Sequence, residues 1–157
     1  MIEFFTSNSD VIYRLLLAVV LGVVIGFERL FAHKEAGMKT HALVALGAAL
    51  FVIISELLAI KYARIGGFDP SRMASQIIVG IGFLGAGSII LEGNKLKGLT
   101  TASGFWVTAG IGMAAGFGFF SLAIIVTLLV LLIFTALYLL EKPIKKIAQR
   151  NRSSSED

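Results

Sequence analysis

Apolar residues in this chain fall into long unbroken runs rather than strand-like alternations or the one-sided stripes of soluble helices. Met73 to Leu91 runs nineteen residues without a charge, entered through Asp69-Pro70-Ser71-Arg72 with Gln76 one turn inside. At about 1.5 Å per residue that length nearly matches a hydrocarbon core of roughly 30 Å. Its glycines, Gly80, Gly82, Gly85 and Gly87, weaken a helix in water but let backbones approach in lipid. Five spans are predicted: Val11 to Phe31, Thr40 to Ile60, Met73 to Leu91, Thr101 to Phe117 and Leu122 to Leu140. The last two come from 43 uncharged residues, Gly98 to Leu140. As one helix they would reach about 65 Å, twice what a bilayer needs, so the chain must turn back within the run. Gly116-Phe117-Gly118 supplies the break and Ser121 an N-cap for the next helix. Span four either crosses fully or is re-entrant. The expected fold class is an all-α membrane protein, a compact bundle of about five transmembrane helices.

Composition agrees: 57% hydrophobic and 15% charged residues with a mean hydropathy of +0.88 suit a membrane, not a soluble domain of this length. The first ten residues carry Glu3 and Asp10 and no basic residue, so no cleavable leader is expected. Zero cysteines exclude disulfides, thiolate metal sites and cysteine nucleophiles. The pI near 9.6 does not point to nucleic acid, because the basic residues flank apolar spans. Arg29, Lys34, Lys39, Lys95 and Lys97 fall on one side with the tail's Lys142, Lys145, Lys146, Arg150 and Arg152, against Arg14, Lys61, Arg64 and Arg72 on the other. Ten against four puts the N-terminus outside and the C-terminus in the cytoplasm. Residues 1–141 form the membrane domain. Residues 142–157 are expected to be a basic cytoplasmic tail, a short helix on anionic headgroups beyond Pro143 and then a disordered end from Ser153 to Asp157, with no second domain.

An offset of 61 pairs Gly26 with Gly87, Leu30 with Leu91, Lys34 with Lys95, Gly37 with Gly98 and Thr40 with Thr101. If it is a true repeat, spans one–two and three–four are parallel hairpins about an axis along the membrane normal, with span five added. Small residues recur every four positions: Ala18, Gly22 and Gly26 on span one, and Gly104, Thr108, Gly112 and Gly116 on span four. With Gly80 and Gly87 these glycines are read as helix-packing positions. Gly80 to Gly85 also fits the dinucleotide pattern G-x-G-x-x-G, but at mid-membrane depth, without a strand before it, the pattern carries no nucleotide site.

Polar residues at span ends each need a partner or an interface. An outer group holds Arg14, Asp69, Arg72 and Gln76; a cytoplasmic group holds Glu28, Arg29, Lys39, Thr40, His41, Glu92, Thr100 and Thr101. Most of the bilayer separates them, so no single pocket uses both. Asp69, Thr40 and Thr101 suit N-caps, and terminal Arg and Lys side chains can snorkel. Glu28 is harder to dismiss, since an anchor needs only Arg29. His41 reads as a hydrogen-bonded interface residue and His33 as exposed loop. No catalytic constellation is present.

The runs GFERLFAHKEAGMKTHALVALGAALF (Gly26 to Phe51), DPSRMASQIIVGIGFLGAGSI (Asp69 to Ile89) and KGLTTASGFWVTAGIGMAAGFG (Lys97 to Gly118) closely resemble the bacterial MgtC/SapB family of inner-membrane proteins. The resemblance covers about Arg14 to Leu140. The family's Glu-Arg pair falls on Glu28 and Arg29 and its Arg-Thr-His on Lys39, Thr40 and His41, with lysine in place of arginine. Its Asp, Arg and Gln fall on Asp69, Arg72 and Gln76, and its Gly-Leu-Thr-Thr-Ala on Gly98 to Ala102. Many members continue into a cytoplasmic C-terminal domain, and this chain is expected to be the short form. The resemblance implies a multipass protein of the bacterial plasma membrane linked to survival in low magnesium and, in intracellular pathogens, to virulence. An accessory or regulatory role without a cofactor is expected, through the bilayer with itself or another membrane protein as partner. Magnesium is the candidate ion, no metal-binding residues being assigned. The alternative is a small transporter of ions, magnesium or protons, or of solutes, against which stands the shortage of ionisable residues near the midplane.

Overall fold

The computed structural model describes residues 9–63, 69 and 71–153, with side chains up to residue 139. Arg64, Pro70 and the expected disordered end past Ser153 lie outside the described residues. The described chain forms α1 (Ser9–Phe31), α2 (Met38–Lys61), α3 (Ser71–Gly87), α4 (Leu99–Gly116) and α5 (Phe120–Ser153). A two-stranded hairpin, β1 (Ile90–Glu92) and β2 (Lys95–Lys97), joins α3 to α4. Ser9–Phe31, Met38–Lys61 and Phe120–Leu139 are long and apolar enough to cross a membrane. α3 and α4 have 17 and 18 residues, about 26 and 27 Å of helix. Val79, Phe83, Leu128 and many other large apolar side chains face outward, as lipid requires and water forbids. The chain is thus an all-α membrane bundle with one small hairpin.

The helix ends show why the chain turns where it does. α1 closes in a Schellman motif: His33 takes φ 53°, Lys34 N–H donates to the Arg29 carbonyl at 3.0 Å and His33 N–H to Leu30 at 3.1 Å. α4 closes the same way around Gly118, φ 77°, with Phe119 N–H donating to Ala114 at 2.8 Å. The break expected at Gly116 to Gly118 is therefore present. Ser121, however, is the second residue of α5 and not its cap; the Phe119 carbonyl accepts from Ala123 N–H at 3.0 Å. Span three stops at Gly87 rather than Leu91, because Ile90 to Glu92 pair instead with Lys95 to Lys97. Gly93, φ 61°, makes the two-residue turn between them.

Close backbone contact organises the bundle. α1 lies along α2, where a Cβ added at Gly22 would meet the His41 carbonyl oxygen at 2.6 Å and one at Gly26 the Gly37 carbonyl oxygen at 2.6 Å. The other side of α2 meets α4: added Cβ atoms at Gly112 and Gly116 would lie 2.8 Å and 2.9 Å from Ala45 Cα and Ala49 Cα. Ala18, Ile25, Ala45, Ala49, Ile111 and Ala115 fill the centre. α5 packs against α1 and α4, and α3 mainly against α4. Both connected pairs, α1–α2 and α3–α4, turn at the same end. Gly37 and Gly98 are both N-cap residues, and Thr40 and Thr101 are both third residues of their helices, as the offset of 61 predicts. The match fails at Gly26 and Gly87: the first is wedged against α2 and the second meets nothing within 4 Å. α5 runs on across the boundary expected at residue 141, and Pro143 removes one N–H from its ladder without ending it.

Candidate functional site

At the end where the two pairs turn, α1, α2, α4 and α5 converge on a buried polar group. Arg29, in the last turn of α1, is only 2% exposed. Its Nε donates to Glu28 Oε2 at 2.5 Å, and its guanidinium lies 3.4 Å from the centroid of the Phe134 ring on α5. The C-terminal end of α1 favours this cation, and the ring face supplies further attraction away from water. Nη1 has no hydrogen-bond partner among the described residues. His41, fully buried, sits in the first turn of α2 with Nδ1 3.0 Å from the Gly37 carbonyl. A carbonyl only accepts, so Nδ1 carries a proton. Nε2 is unpartnered among the described residues and points to Gly104, whose added Cβ would lie 3.3 Å from it and 3.6 Å from Phe134. Phe105 packs beside the imidazole, centroids 5.3 Å apart.

The remaining residues expected here are not all part of that group. Lys39, Thr40 and Thr100 are exposed, while Thr101 is buried. The caps expected of Thr40 and Thr101 belong to Gly37 and Gly98, neither helix having a side-chain cap hydrogen bond. At Gly98 glycine wins because φ is 91° and an added Cβ would meet the Ser88 carbonyl carbon at 2.8 Å, where no Ser or Thr fits. Above Thr101 a cavity of about 730 Å³ opens between the Lys34 loop, the hairpin and the first turn of α4.

The opposite end departs further from expectation. Arg14 meets neither Asp69, Arg72 nor Gln76. Its guanidinium instead bonds Glu56 at 2.6 Å, Asp10 at 2.8 Å and the Gly116 carbonyl at 2.9 Å, tying α1 to α2 and to the end of α4. Glu56 is a functional candidate that sequence reasoning passed over. Its signal is a carboxylate inside an apolar span, which needs a cation. Asp69 is exposed, accepts from Ser71 N–H at 2.9 Å, and is held below the usual carboxylate range by hydrogen bonds from the Ser71 side chain and backbone. Arg72 is exposed, and Gln76 lines an apolar groove between α2 and α3 beside Gly47 and Gly80. Cβ atoms added at Gly80 and Gly87, read as packing positions, would meet nothing within 4 Å among the described residues, since α3 buries only Ile81 and Gly85. Among the described residues no three His, Asp or Glu side chains converge to hold a metal ion.

Comparison with known proteins places this arrangement. The model of the MgtC family matches residues 15–143. A protein of Escherichia coli (strain K12) named putative magnesium transporter YhiD is 43% identical over 135 residues, 81% of this chain and 61% of its own length. Proteins named MgtC are 46% identical over 114 residues in Brucella abortus (strain 2308), 73% of this chain and 45% of that protein. In Salmonella typhimurium (strain 14028s / SGSC 2262) the identity is 44% over 120 residues, 76% and 49%. The chain thus spans between about half and three fifths of these relatives. No solved structure matches it. With its fold, its Glu-Arg and Gly-Leu-Thr-Thr segments and all but its ends inside the match, the chain belongs to the MgtC family.

Proposed function

We propose that this chain is a non-catalytic membrane regulator in magnesium homeostasis, acting through helix contacts with itself or with other membrane proteins. It would sit in the bacterial inner membrane with the hairpin end in the cytoplasm, the side on which Arg29, Lys34, Lys39, Lys95 and Lys97 gather. The observation that carries the reading is the closed centre of the bundle. The two polar groups are separated by Ala18, Ile25, Ala45, Ala49, Ile111 and Ala115, none more than 1% exposed, and α2 and α4 touch backbone to backbone at Gly112 and Gly116. A transporter needs hydrated polar groups near the midplane. Of the hydroxyls there, that of Thr127 is spent on the Ala123 carbonyl at 2.8 Å, and Thr108 is fully buried.

Magnesium comes to this chain from the name of one relative, a putative magnesium transporter, and that name keeps transport as the second reading. Glu28→Gln and Thr101→Ala are expected to leave membrane abundance normal and impair growth in magnesium-poor medium. Unchanged growth at normal abundance in both variants removes the hairpin-end residues from the functional account. Saturable magnesium flux by the purified chain in liposomes, lost in Glu28→Gln, makes it a transporter instead.

A further inference from the structure

The geometry points to a phosphate-binding site in the cavity above Thr101, formed by the open N-terminus of α4, the Thr101 hydroxyl and Lys34. The cavity, about 730 Å³, is within the range of small-molecule sites. Gly98, Leu99, Thr100 and Thr101, the N-cap and first turn of α4, line one wall. The N–H groups of Leu99, Thr100 and Thr101 have no partner within the helix, the first ladder bond running from Ala102 to Gly98. A glycine cap leaves them uncovered, since no side-chain oxygen bonds them. Such a terminus carries roughly half a positive charge and favours a phosphate oxygen.

Two further features point to an occupant. Thr101 is only 9% exposed, lines the cavity, and its hydroxyl has no hydrogen-bond partner among the described residues. An unbonded hydroxyl on the cavity wall is free to donate to an acceptor held there. Lys34 stands across the cavity on the α1–α2 loop, with Thr40 beside it. Of the two carboxylates in the lining, Glu92 is neutralised by Lys97, and Glu35 is exposed. Phosphate oxygens therefore find backbone donors, a hydroxyl donor and an ammonium in one place. The phosphate belongs either to a small soluble molecule or to a lipid headgroup, because the cavity lies where helices leave the apolar layer.

The inference deepens the functional reading through Thr101, yet its test is binding to purified protein and fails independently of growth. Full-length chain in detergent is titrated with inorganic phosphate at constant ionic strength, following melting temperature and heat of binding. In parallel it is placed in nanodiscs of phosphatidylcholine with and without phosphatidylglycerol, and retained lipid is measured by native mass spectrometry. Phosphate is expected to raise the melting temperature, with Thr101→Val and Lys34→Gln each weakening half-saturation at least fivefold and Ser103→Ala leaving it unchanged. Retained phosphatidylglycerol sensitive to the same two variants, without response to free phosphate, assigns the site to a headgroup. Should Thr101→Val fail to fold, the exposed Lys34→Gln decides alone. No binding in either arm, or binding indifferent to the folded variants, overturns the site.

Discussion

Gly112→Ala tests the α2–α4 contact with a single methyl group. An added Cβ would lie 2.8 Å from Ala45 Cα and 2.9 Å from the Ala45 carbonyl carbon, where unstrained carbons stand about 3.5–4.0 Å apart. The obstacle is backbone, so no side-chain rotation relieves it, and α2 and α4 must separate by about 1 Å. A gap of that size forfeits about a quarter to a half of each dispersion contact it opens. It also loosens Gly116 against Ala49 and Gly104 against His41, one turn or two along the same seam. Overpacking of this kind costs about 1–3 kcal/mol. Gly110, on the same helix, meets nothing within 4 Å, so Gly110→Ala carries no clash and gains up to about 1 kcal/mol of helix propensity. Unfolding in mixed dodecyl sulfate micelles should separate the two variants by about 2–4 kcal/mol, Gly112→Ala being the weaker. Equal unfolding midpoints would refute the packing argument, since both make the same chemical change at the same depth range.

Arg14→Gln should destabilise the bundle by about 2 kcal/mol in the same assay, because it strips Glu56 of a charged hydrogen bond; Glu56→Gln, which keeps an oxygen for Arg14, should cost less. Phe134→Leu keeps an apolar side chain but removes the ring face under Arg29, an expected loss of about 1–2 kcal/mol, and a loss no greater than for Leu132→Ala on the exposed face would show the stacking to be idle. Gly98→Ala must hold a methyl at φ 91° against Ser88 and should cost about 2–4 kcal/mol, together with protease sensitivity between Ile89 and Leu99.

Five apolar runs, the break at Gly116 to Gly118 and the close seams at Gly22, Gly26, Gly112 and Gly116 were legible because length, breakers and four-residue spacing are local properties of a chain. Gly80 and Gly87 carry the same local signal and stand open: spacing tells that a face is shallow, not that a neighbour occupies it. The Arg14–Glu56 pair spans 42 residues, and nothing near Arg14 in sequence distinguishes Glu56 from Asp69 as its acceptor. Phe134 reads like any other apolar residue of α5 until the fold brings it beneath Arg29. Thr40 and Thr101 fit the composition of helix caps, but a glycine stands as cap one turn before each, and at Gly98 a left-handed φ and the close approach of Ser88 demand it.

The placement of α2 between two glycine seams also sets an order of events during synthesis. Six residues separate α1 from α2, so Gly22 and Gly26 find α2 as soon as it enters the bilayer, and Glu56 arrives at the end of that same helix to neutralise Arg14. The partners of Ala45 and Ala49 lie more than sixty residues further along, on α4. Helices that insert first and associate afterwards therefore leave the first pair complete in charge but with one bare alanine face turned to lipid until α4 is made. That interval is when a competing helix with small residues at the same spacing has its best access to the nascent protein.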